Sequence, residues 1–442
     1  MSDGELVAFV CCDLGAIVRG RSVLASEFDA HRDASVGWVP ANHALTPIGS
    51  LANPSPFGST GDLRLLPALD THVRLERGDG DVGGAFELVL CDIAEPDGQP
   101  WECCPRSFLR DALAELEREL GLRLVASFEH EFQLLSEAPA ALPFSLEAQR
   151  RAAPFGEAAM AALLEAGIEP ERFMPEYASH QFEIPVAPSE GIASADRAVL
   201  FREVVREVAR RLRSRASFTP LLDPDEAGNG VHIHLSLLDD DGRAVLYDKR
   251  RPGSLSELGG RFAAGVLLHA RALSALSAPS PVSAARLAPH RWSAGAACLG
   301  AQNREALLRL PPLVAGAGAG AGAGASQMRL EYRGADAAAN PYLALGAIVR
   351  AGLDGVRREL EPAPLLERDP ALLDDAQACT YGVDALPSSL GQALQALADD
   401  ETARGWLSPL MYDAYIAVKQ AELDAAAGVE LEELCERYGS IY

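Results

Sequence analysis

The sequence predicts an α+β protein with a small β-rich N-terminal domain and a large C-terminal α/β domain. The first hundred residues contain short β-rich runs, which clusters of Gly, Pro and Asp separate. Helical periodicity begins only after Pro105, and helices then alternate with strands as far as about residue 333. From Pro341 onward the pattern is chiefly helical. We therefore place the domain boundary near residue 105, which gives domains of residues 1–105 and 106–442.

The N-terminal domain is predicted to consist of short strands with one long loop between them. The predicted strands are Leu6–Leu14, Ala16–Val23, Leu63–Leu66, His72–Leu75 and Phe86–Ile93. The segment Asn42–Gly61 lacks a helical period and is rich in Pro, Gly, Ser and Asn, so it is predicted to be a loop.

Two predicted features of the C-terminal domain stand out. The first helix is predicted over Arg106–Leu120, where apolar residues recur at helical spacing and charges occupy the other face. The alternating Ala and Gly residues from Val314 to Ala325 offer no side chains to pack, so they predict a flexible surface connection.

Charge and composition exclude several functional classes. The chain has 442 residues and a formal net charge of −24, whereas binding to nucleic acid requires a basic surface. The acidic excess also disfavours an anionic membrane surface, and no apolar stretch reaches the ~18 residues of a membrane span. The sequence shows no signal peptide pattern, so we expect a cytoplasmic protein. Its eight cysteines are then expected to be buried thiols rather than disulfides or zinc ligands.

Four short segments contain residues that could carry chemistry. In the first, Phe128–Phe132, a strand of period two places Glu129 and Glu131 on one face. Two carboxylates at such a short distance repel each other, so one takes up a proton unless a cation lies between them. An exposed strand edge with harmless acids explains this segment equally well.

Two later segments show the same alternation. His232 and His234 share one face of a predicted strand and apolar residues share the other, which indicates a half-buried strand whose polar side lines a cleft. Arg329, Glu331 and Arg333 align on another predicted strand, where three charges are costly to bury without ligands. A histidine pair of this kind is common, and a solvated sheet face is the alternative for the three charges.

The fourth segment, Glu176–Glu183, requires a break in strand geometry. Its terminal acids are seven positions apart, so a regular strand would point them to opposite faces. A bulge or turn through Ala178–His180 must intervene if both acids serve one site.

In this order, the four segments resemble the motifs of the glutamine synthetase family. That family has paired glutamates on one strand, then E-x-A-P-G-Q-x-E, G-x-G-x-H-x-H, and R-x-E-x-R followed by A-N-P-Y. Here the last two read Arg329–Arg333 and Ala339–Tyr342, and Arg286-Leu287 and Asn303–Glu305 look like the family's R-L and N-R motifs. The similarity covers nearly the whole chain. It implies a β-grasp-like N-terminal domain and a catalytic domain in which an antiparallel sheet lines the active site.

The resemblance implies two sites for divalent cations. The family's ligands to the two ions are matched by two sets of residues: Glu131, Glu176 and Glu183 for one ion, and Glu129, His232 and Glu331 for the other. Sites made mostly of carboxylates favour hard ions, so Mg²⁺ or Mn²⁺ is expected.

The resemblance also implies ATP and glutamate as reactants. The matched positions are His234, Ser236 and Arg329 around the nucleotide, Arg286 and Arg333 at the carboxylates of glutamate, and Arg304 and Arg309 near the transferred phosphoryl group. The implied reaction forms a γ-glutamyl phosphate, from which an amine displaces phosphate to give an amide.

The chain departs from the ammonia-using enzymes at the positions that hold ammonium. Those enzymes have a flap glutamate after the R-L arginine and an aspartate in a D-G-S-S motif of the small domain. Here Trp292 stands at the flap position after Arg286, and the loop from Ala41 to Gly61 contains no acidic residue. The N-S-Y pattern has also become Val282–Ala284, and His180 replaces a family glycine.

A tryptophan has apolar bulk and a π face, which suit an organic substituent better than ammonium. Family members that make γ-glutamyl amides from polyamines, alkylamines or aromatic amines look similar in this respect. We therefore expect glutamate and an organic amine as substrates, with Trp292 in the amine pocket. The alternatives are a glutamine synthetase that uses ammonia, and a catalytically silent homologue with a binding or regulatory role.

Quaternary structure is a further implication of the resemblance. The family builds each active site between the large domain of one subunit and the small domain of its neighbour. We therefore expect a homo-oligomeric ring, a hexamer or two stacked hexamers, with Asp62 and the loop Asn42–Gly61 near the next subunit's site.

Overall fold

The computed structural model describes residues 4–76, 84–136, 138–314 and 323–442. The N-terminal elements are β1 (Leu6–Cys12), β2 (Val18–Leu24), α1 (Phe28–Ala34), β3 (Val36–Trp38), β4 (Leu63–Pro67), β5 (Val73–Leu75) and β6 (Phe86–Ala94). The strands form one sheet in the order β2-β1-β6-β4-β3, and β5 also pairs with β6. β1 and β6 are parallel, whereas the other pairs are antiparallel.

The N-terminal predictions are confirmed with small shifts. Every predicted strand is present, and its ends lie within two residues of the prediction. The short strand β3 was not predicted, because it has only three residues and its central residue, Gly37, disfavours a strand. The loop Asn42–Gly61 is irregular apart from a 3₁₀ turn over Pro40–Ala44 at its start.

The C-terminal strands form a second and larger sheet. They are β7 (Arg123–Leu134), β8 (Met174–Pro175), β9 (Gln181–Ile184), β10 (Ser189–Glu190), β11 (Ala216–Ser217), β12 (Val231–Leu238), β13 (Ala296–Ala301), β14 (Ala306–Leu310), β15 (Leu330–Tyr332), β16 (Leu365–Leu366) and β17 (Asp384–Ala385). Their order is β16-β13-β14-β15-β12-β7-β9-β8, with β10 and β11 paired to β7 and β17 paired to β13. The central pairs from β14 to β9 are antiparallel.

Helices cover this sheet and complete the chain. They are α2 (Pro105–Leu120), α3 (Leu146–Glu165), α4 (Ala193–Arg211), α5 (Glu257–Leu268), α6 (Ala270–Ser277), α7 (Ser283–Arg286), α8 (Ala323–Gln327), α9 (Pro341–Arg357), α10 (Asp375–Tyr381), α11 (Leu390–Asp399), α12 (Glu401–Arg404), α13 (Pro409–Ala426) and α14 (Leu431–Gly439). The predicted α+β class and the helical C-terminal end are confirmed. The predicted first helix corresponds to α2, which Pro105 begins and Gly121 ends in the left-handed conformation.

The long strand β7 separates the core from the open face of the sheet. Its residues are alternately buried and partly exposed, as a half-buried strand requires. Leu124, Phe128 and Phe132 are buried on the side where α4 packs. Glu129 and Glu131 therefore point to the opposite side, which the helices leave open.

Hydrogen bonds of Asn340 connect α9 to the N-terminal sheet. The side chain of Asn340 caps α9 by accepting from the N–H groups of Tyr342 and Leu343, at 2.9 and 3.2 Å. Its amide group donates to the carbonyl oxygens of Cys12 and Asp13, at 3.1 and 2.9 Å. The Asn-Pro motif thus both starts a helix and positions the two parts of the chain.

Four further predictions concern a strand, the cysteines, the Ala-Gly connection and membrane-spanning helices. The strand predicted to carry Arg329, Glu331 and Arg333 is shorter than expected, because β15 spans only Leu330–Tyr332. The eight cysteines are free thiols, and seven of them are buried. Most of the predicted Ala-Gly connection, residues 315–322, lies outside the described residues. Within the described ranges, every helix is too short or too polar to span a bilayer.

Candidate active site

The register of the strands brings acidic residues and histidines from separate segments together. Glu129 on β7 pairs with His232 on β12, and Glu131 on β7 pairs with Glu183 on β9. On the other side of β12, Glu331 on β15 lies opposite His234. Directly paired residues on antiparallel strands share a face, so side chains of four strands converge on the open face.

Two connected cavities lie over this face. The inner cavity, of about 440 Å³, is lined by residues that include Glu131, Glu176, Glu183 and Glu331. The outer cavity, of about 870 Å³, lies between β7, β12 and the segment that precedes β15. Both cavities share four lining residues: Glu129, Arg172, His234 and Arg329. The shared residues form the junction through which a ligand in one cavity would contact a ligand in the other.

Two groups of potential metal ligands form on the floor of the inner cavity. Ligand atoms of Glu129, His232 and Glu331 all lie within 4.8 Å of one another, and this set was predicted. Glu131 and Glu183 form the second group together with His232, again within 4.8 Å. Glu176, the third predicted member of that set, lines the same cavity but lies outside the compact group.

The turn expected between Glu176 and Glu183 is present. β8 and β9 form a hairpin in which Met174 pairs with Glu183, and Glu176 donates its N–H to the Gln181 carbonyl at 2.8 Å. His180 has φ of 54°, which is the left-handed region that favours glycine. The left-handed conformation at this position explains why the family has a glycine there. The turn brings Glu176 into the cavity.

Burial and mutual repulsion raise the pKa of two of these acids. Burial and the nearby charges of Glu129, Glu131 and Glu176 raise the pKa of Glu183 to about 11. Burial and the charge of Glu131 raise the pKa of Glu176 to about 8. A carboxylate site that must otherwise hold protons at neutral pH is suited to a divalent cation, so the residues present fit the predicted metal.

The group of Glu129, His232 and Glu331 has the opposite electrostatic balance. Burial opposes ionisation of Glu129, but hydrogen bonds and charges from His232 and His234 keep its pKa well below the usual range. The Oε2 atom of Glu129 lies 3.1 Å from Nε2 of His234 and 3.5 Å from Nδ1 of His232. Despite burial, Arg333 and the two histidines lower the pKa of Glu331 to about 2.

Arginines surround the acidic floor. Arg309 donates to Oε2 of Glu331 at 2.6 Å, and Arg333 donates to Oε1 of the same carboxylate. Arg333 also donates to the carbonyl oxygens of Arg304 and Trp292, at 3.0 and 2.8 Å. The side chain of Arg304 is exposed and lines the inner cavity. Three of the predicted arginines, Arg304, Arg309 and Arg333, therefore lie at one wall of the inner cavity.

Arg286 lies deeper than its predicted role suggests. It is 2% exposed, and its guanidinium donates to the carbonyl oxygens of Gly334 and Ala335, at 3.1 and 2.9 Å. Burial lowers its pKa, which the charge of Asp336 partly offsets. Its edge still borders the inner cavity, so it can stabilise a bound anion chiefly by charge and by supporting the wall.

The predicted nucleotide positions border the outer cavity. His234 and Ser236 lie on β12, and the hydroxyl of Ser236 donates to the Met328 carbonyl at 3.2 Å. Nε of Arg329 donates to Nδ1 of His234 at 3.1 Å. These three residues connect the wall of the outer cavity to the acid cluster through Glu129.

Trp292 lies at the mouth of the inner cavity, as expected for an amine pocket. Its side chain is 53% exposed and its ring lies 4.8 Å from that of Tyr177, centroid to centroid. Phe144 continues the aromatic surface at 4.7 Å from Tyr177. Sequence reasoning missed Tyr177 and Phe144 because they are distant in the chain from Trp292. An aromatic residue directly after Glu176 was the one available signal.

Family models match both parts of the chain. The model described as the glutamine synthetase N-terminal domain matches residues 1–101, and the model of the glutamine synthetase catalytic domain matches residues 102–436. A solved structure described as a novel glutamine synthase homolog superposes with a TM-score of 0.91 and 44% identity, covering 100% of this chain and 99% of the other.

Curated relatives match over most of their length. Gamma-glutamylpolyamine synthetase GlnA3 of Streptomyces coelicolor is 34% identical, covering 98% of this chain and 92% of the relative. Glutamine synthetase of Thermus thermophilus is 33% identical, with 95% and 93% covered. Glutamate–methylamine ligase of Methyloversatilis universalis is 31% identical, with 90% and 92% covered.

Glu183→Gln is expected to raise the thermal midpoint of the metal-stripped protein, because it removes a carboxyl whose pKa in the folded chain is about 11. Such a group contributes its full stability below its unfolded value, near 4.5, and loses it as pH rises toward 11. The gain should therefore be larger at about pH 9 than at about pH 6 by several degrees, because each kcal/mol moves the midpoint by about 2–4 °C. Thermal melts in EDTA measure it.

The same variant should respond less to metal. Loss of a ligand oxygen is expected to reduce Mn²⁺ affinity by at least the roughly 10–100-fold that loss of a ligand-orienting group costs. Titration of the melting temperature with MnCl₂ reports this affinity. Glu117→Gln, which changes an exposed acid on α2, is the matched control. An equal metal response in both variants would contradict the assignment.

Proposed function

The chain belongs to the glutamine synthetase family, and from that premise we propose that it is an ATP-dependent ligase that joins the γ-carboxylate of glutamate to an organic amine. The observation that carries this proposal is the convergence of carboxylates and arginines at the junction of two cavities. The outer cavity has the size and partly apolar lining that a nucleotide needs, and the inner cavity suits a smaller anion. Two relatives are named gamma-glutamylpolyamine synthetase and glutamate–methylamine ligase, which supports an organic amine as the second substrate.

The proposed reaction has two steps. The γ-carboxylate of glutamate attacks the γ-phosphorus of ATP, and the bond from that phosphorus to the ADP oxygen breaks. An uncharged amine then attacks the acyl carbon of γ-glutamyl phosphate, the carbon–oxygen bond to phosphate breaks, and the nitrogen loses a proton. The products are ADP, phosphate and a γ-glutamyl amide. Bound Mg²⁺ or Mn²⁺ would supply positive charge that offsets the repulsion between the two anionic reactants.

The acidic residues and histidine of the cavity floor are the proposed metal ligands. Glu131, Glu183 and Glu176 would serve one ion, and all three line the inner cavity. Glu129, His232 and Glu331 would serve the other, and their compact arrangement supports this assignment.

The arginines are proposed to bind the anionic groups of the reactants. Arg304 and Arg309 would contact the transferring phosphoryl group, where donors of fixed charge stabilise the transition state. Arg329 would lie beside the nucleotide together with His234 and Ser236. Arg286 and Arg333 would stabilise the carboxylates of glutamate, and both are buried where their charge is weakly screened.

The amine is proposed to enter past Trp292. The half-exposed indole offers apolar surface at the cavity mouth, where a flap glutamate would offer a negative charge. The acid-free loop Asn42–Gly61 removes a second counter-charge. Ammonium therefore loses two electrostatic contacts, while an organic amine gains about 0.8 kcal/mol for each buried methylene group. A glutamine synthetase that uses ammonia remains the second candidate, because relatives with that name match at similar identity.

Release of ADP should depend on glutamate and be faster with some bulky or aromatic amine than with ammonium at equal concentration. Aromatic amines are neutral near pH 7 and need no base before attack. Trp292→Ala should change the ranking among the amines more than it changes the KM for ATP. A coupled assay for ADP over a panel of amines provides the measurement.

Glu131→Gln and Glu331→Gln are the controls for this assay, and both should lose most of the turnover. If ammonium proves the best substrate of a broad panel, the chain is a glutamine synthetase of the ordinary kind. If no amine supports ADP release although ATP and Mn²⁺ bind, the chain is a silent homologue and the proposal is wrong.

A ring-shaped homo-oligomer is part of the proposal, with each site completed by the neighbour's loop Asn42–Gly61 and by Asp62. Leu51 in this loop is 60% exposed, so its side chain is accessible for a contact with another subunit. Light scattering should give the mass of a hexamer or dodecamer, and Leu51→Asp should weaken assembly and activity together. A fully active monomer would refute the shared site.

A further inference from the structure

Three aromatic side chains form a continuous surface at the mouth of the inner cavity. Phe144, Tyr177 and Trp292 are 52%, 46% and 53% exposed, and all three line the cavity. The ring of Tyr177 meets both neighbours edge to face, at interplanar angles of 80° and 81°. Contiguous exposed apolar surface of this kind often marks a binding site for a ligand or partner.

The backbone fixes this aromatic surface to the reactive part of the site. Phe144 and Trp292 have φ of 55° and 54°, a conformation that bulky residues rarely adopt. The N–H of Trp292 donates to Glu305 at 2.8 Å, and its carbonyl accepts from Arg333 at 2.8 Å. Because Arg333 also binds Glu331, the position of the indole is coupled to the acidic floor.

The charges around the three aromatic side chains disfavour an amine with a second ammonium group. An apolar group in the same place would meet no such repulsion. The carboxylates that line this cavity within the described ranges lie on its floor or at Glu176, beside the proposed metals. At the rim, Arg291 adds a positive charge and donates to the carbonyls of Pro224 and Glu226, at 2.5 and 2.8 Å. The Glu226 carboxylate accepts from the N–H and hydroxyl of Ser179, and Glu226 does not line the cavity.

We propose that Phe144, Tyr177 and Trp292 bind the apolar body of the amine substrate, and that they select an arylalkyl monoamine over a polyamine or ammonium. This inference rests on the proposed ligase function. The amino group would point inward past Glu176, toward the site of the acyl phosphate, while the ring of the amine packs against Tyr177. Aromatic packing of this kind adds to the gain from area burial, and a polyamine would leave its distal charge unpaired beside Arg291.

The test uses the full-length enzyme with ATP, glutamate and Mg²⁺ and compares 2-phenylethylamine, putrescine, ammonium and hydroxylamine. Hydroxylamine is small and neutral near pH 7, so it should trap the acyl phosphate as a hydroxamate without using the aromatic surface. The value of kcat/KM should be highest for 2-phenylethylamine. Phe144→Ala and Tyr177→Ala should each raise its KM by about tenfold, as expected for loss of a packed ring, and leave the KM values for hydroxylamine and ATP nearly unchanged.

Two further variants separate a binding role from a structural one. Tyr177→Phe keeps the ring and should restore the KM for 2-phenylethylamine to near the wild-type value. Leu164→Ala, at a 62% exposed position on α3 outside the cavities, is the matched control and should change nothing.

The results distinguish failure of the ligase function from failure of the aromatic selection of the amine. If no hydroxamate forms, the ligase function itself fails. If hydroxamate forms but putrescine or ammonium is the best amine, or if the alanine variants raise every KM equally, the ligase stands and the aromatic selection is overturned.

Discussion

The carboxylates of Glu131 and Glu176 lie close enough to Glu183 to raise its pKa, and the strand register keeps two of these acids directly opposed. A fold that holds like charges together in a buried place gives up stability unless something of opposite charge is present. The arginines provide part of that charge at Glu331, where Arg309 and Arg333 bind both oxygens. Within the described ranges, no arginine is bound in this way to Glu131, Glu176 or Glu183, and a divalent cation is the counter-charge that their geometry suits.

The rest of the fold can be understood as support for this arrangement. Helices cover one face of the large sheet and leave the acidic face open, so β7 can be apolar on one side and carry acidic side chains on the other. Asn340 fixes α9 to the N-terminal sheet while capping its first turn. Glu305 and Arg333 hold the backbone of Trp292, which links the mouth of the inner cavity to the acidic floor. The proposed sites for the amine and for the metal therefore share one connected set of contacts.

The local order of the site could be predicted from the sequence, because a strand has a fixed period. That period placed Glu129 with Glu131 and His232 with His234. The spacing of Glu176 and Glu183 correctly required a turn, which His180 makes in the left-handed conformation. Which strands are neighbours depends on long-range pairing, and only the resemblance to a family supplied it. The contact of Phe144 with Tyr177 and the burial of Arg286 arise from tertiary packing, so no local pattern could reveal them.

In the proposed reaction, glutamate is activated as an acyl phosphate before the amine reacts. Glutamate labelled with ¹⁸O in its γ-carboxylate reports this step, because the oxygen that bridges carbon and phosphorus leaves with the phosphate. Mass spectrometry of the phosphate released with the preferred amine should find one ¹⁸O atom transferred for each amide formed. Unlabelled phosphate, released while ADP and the amide accumulate, would contradict the account.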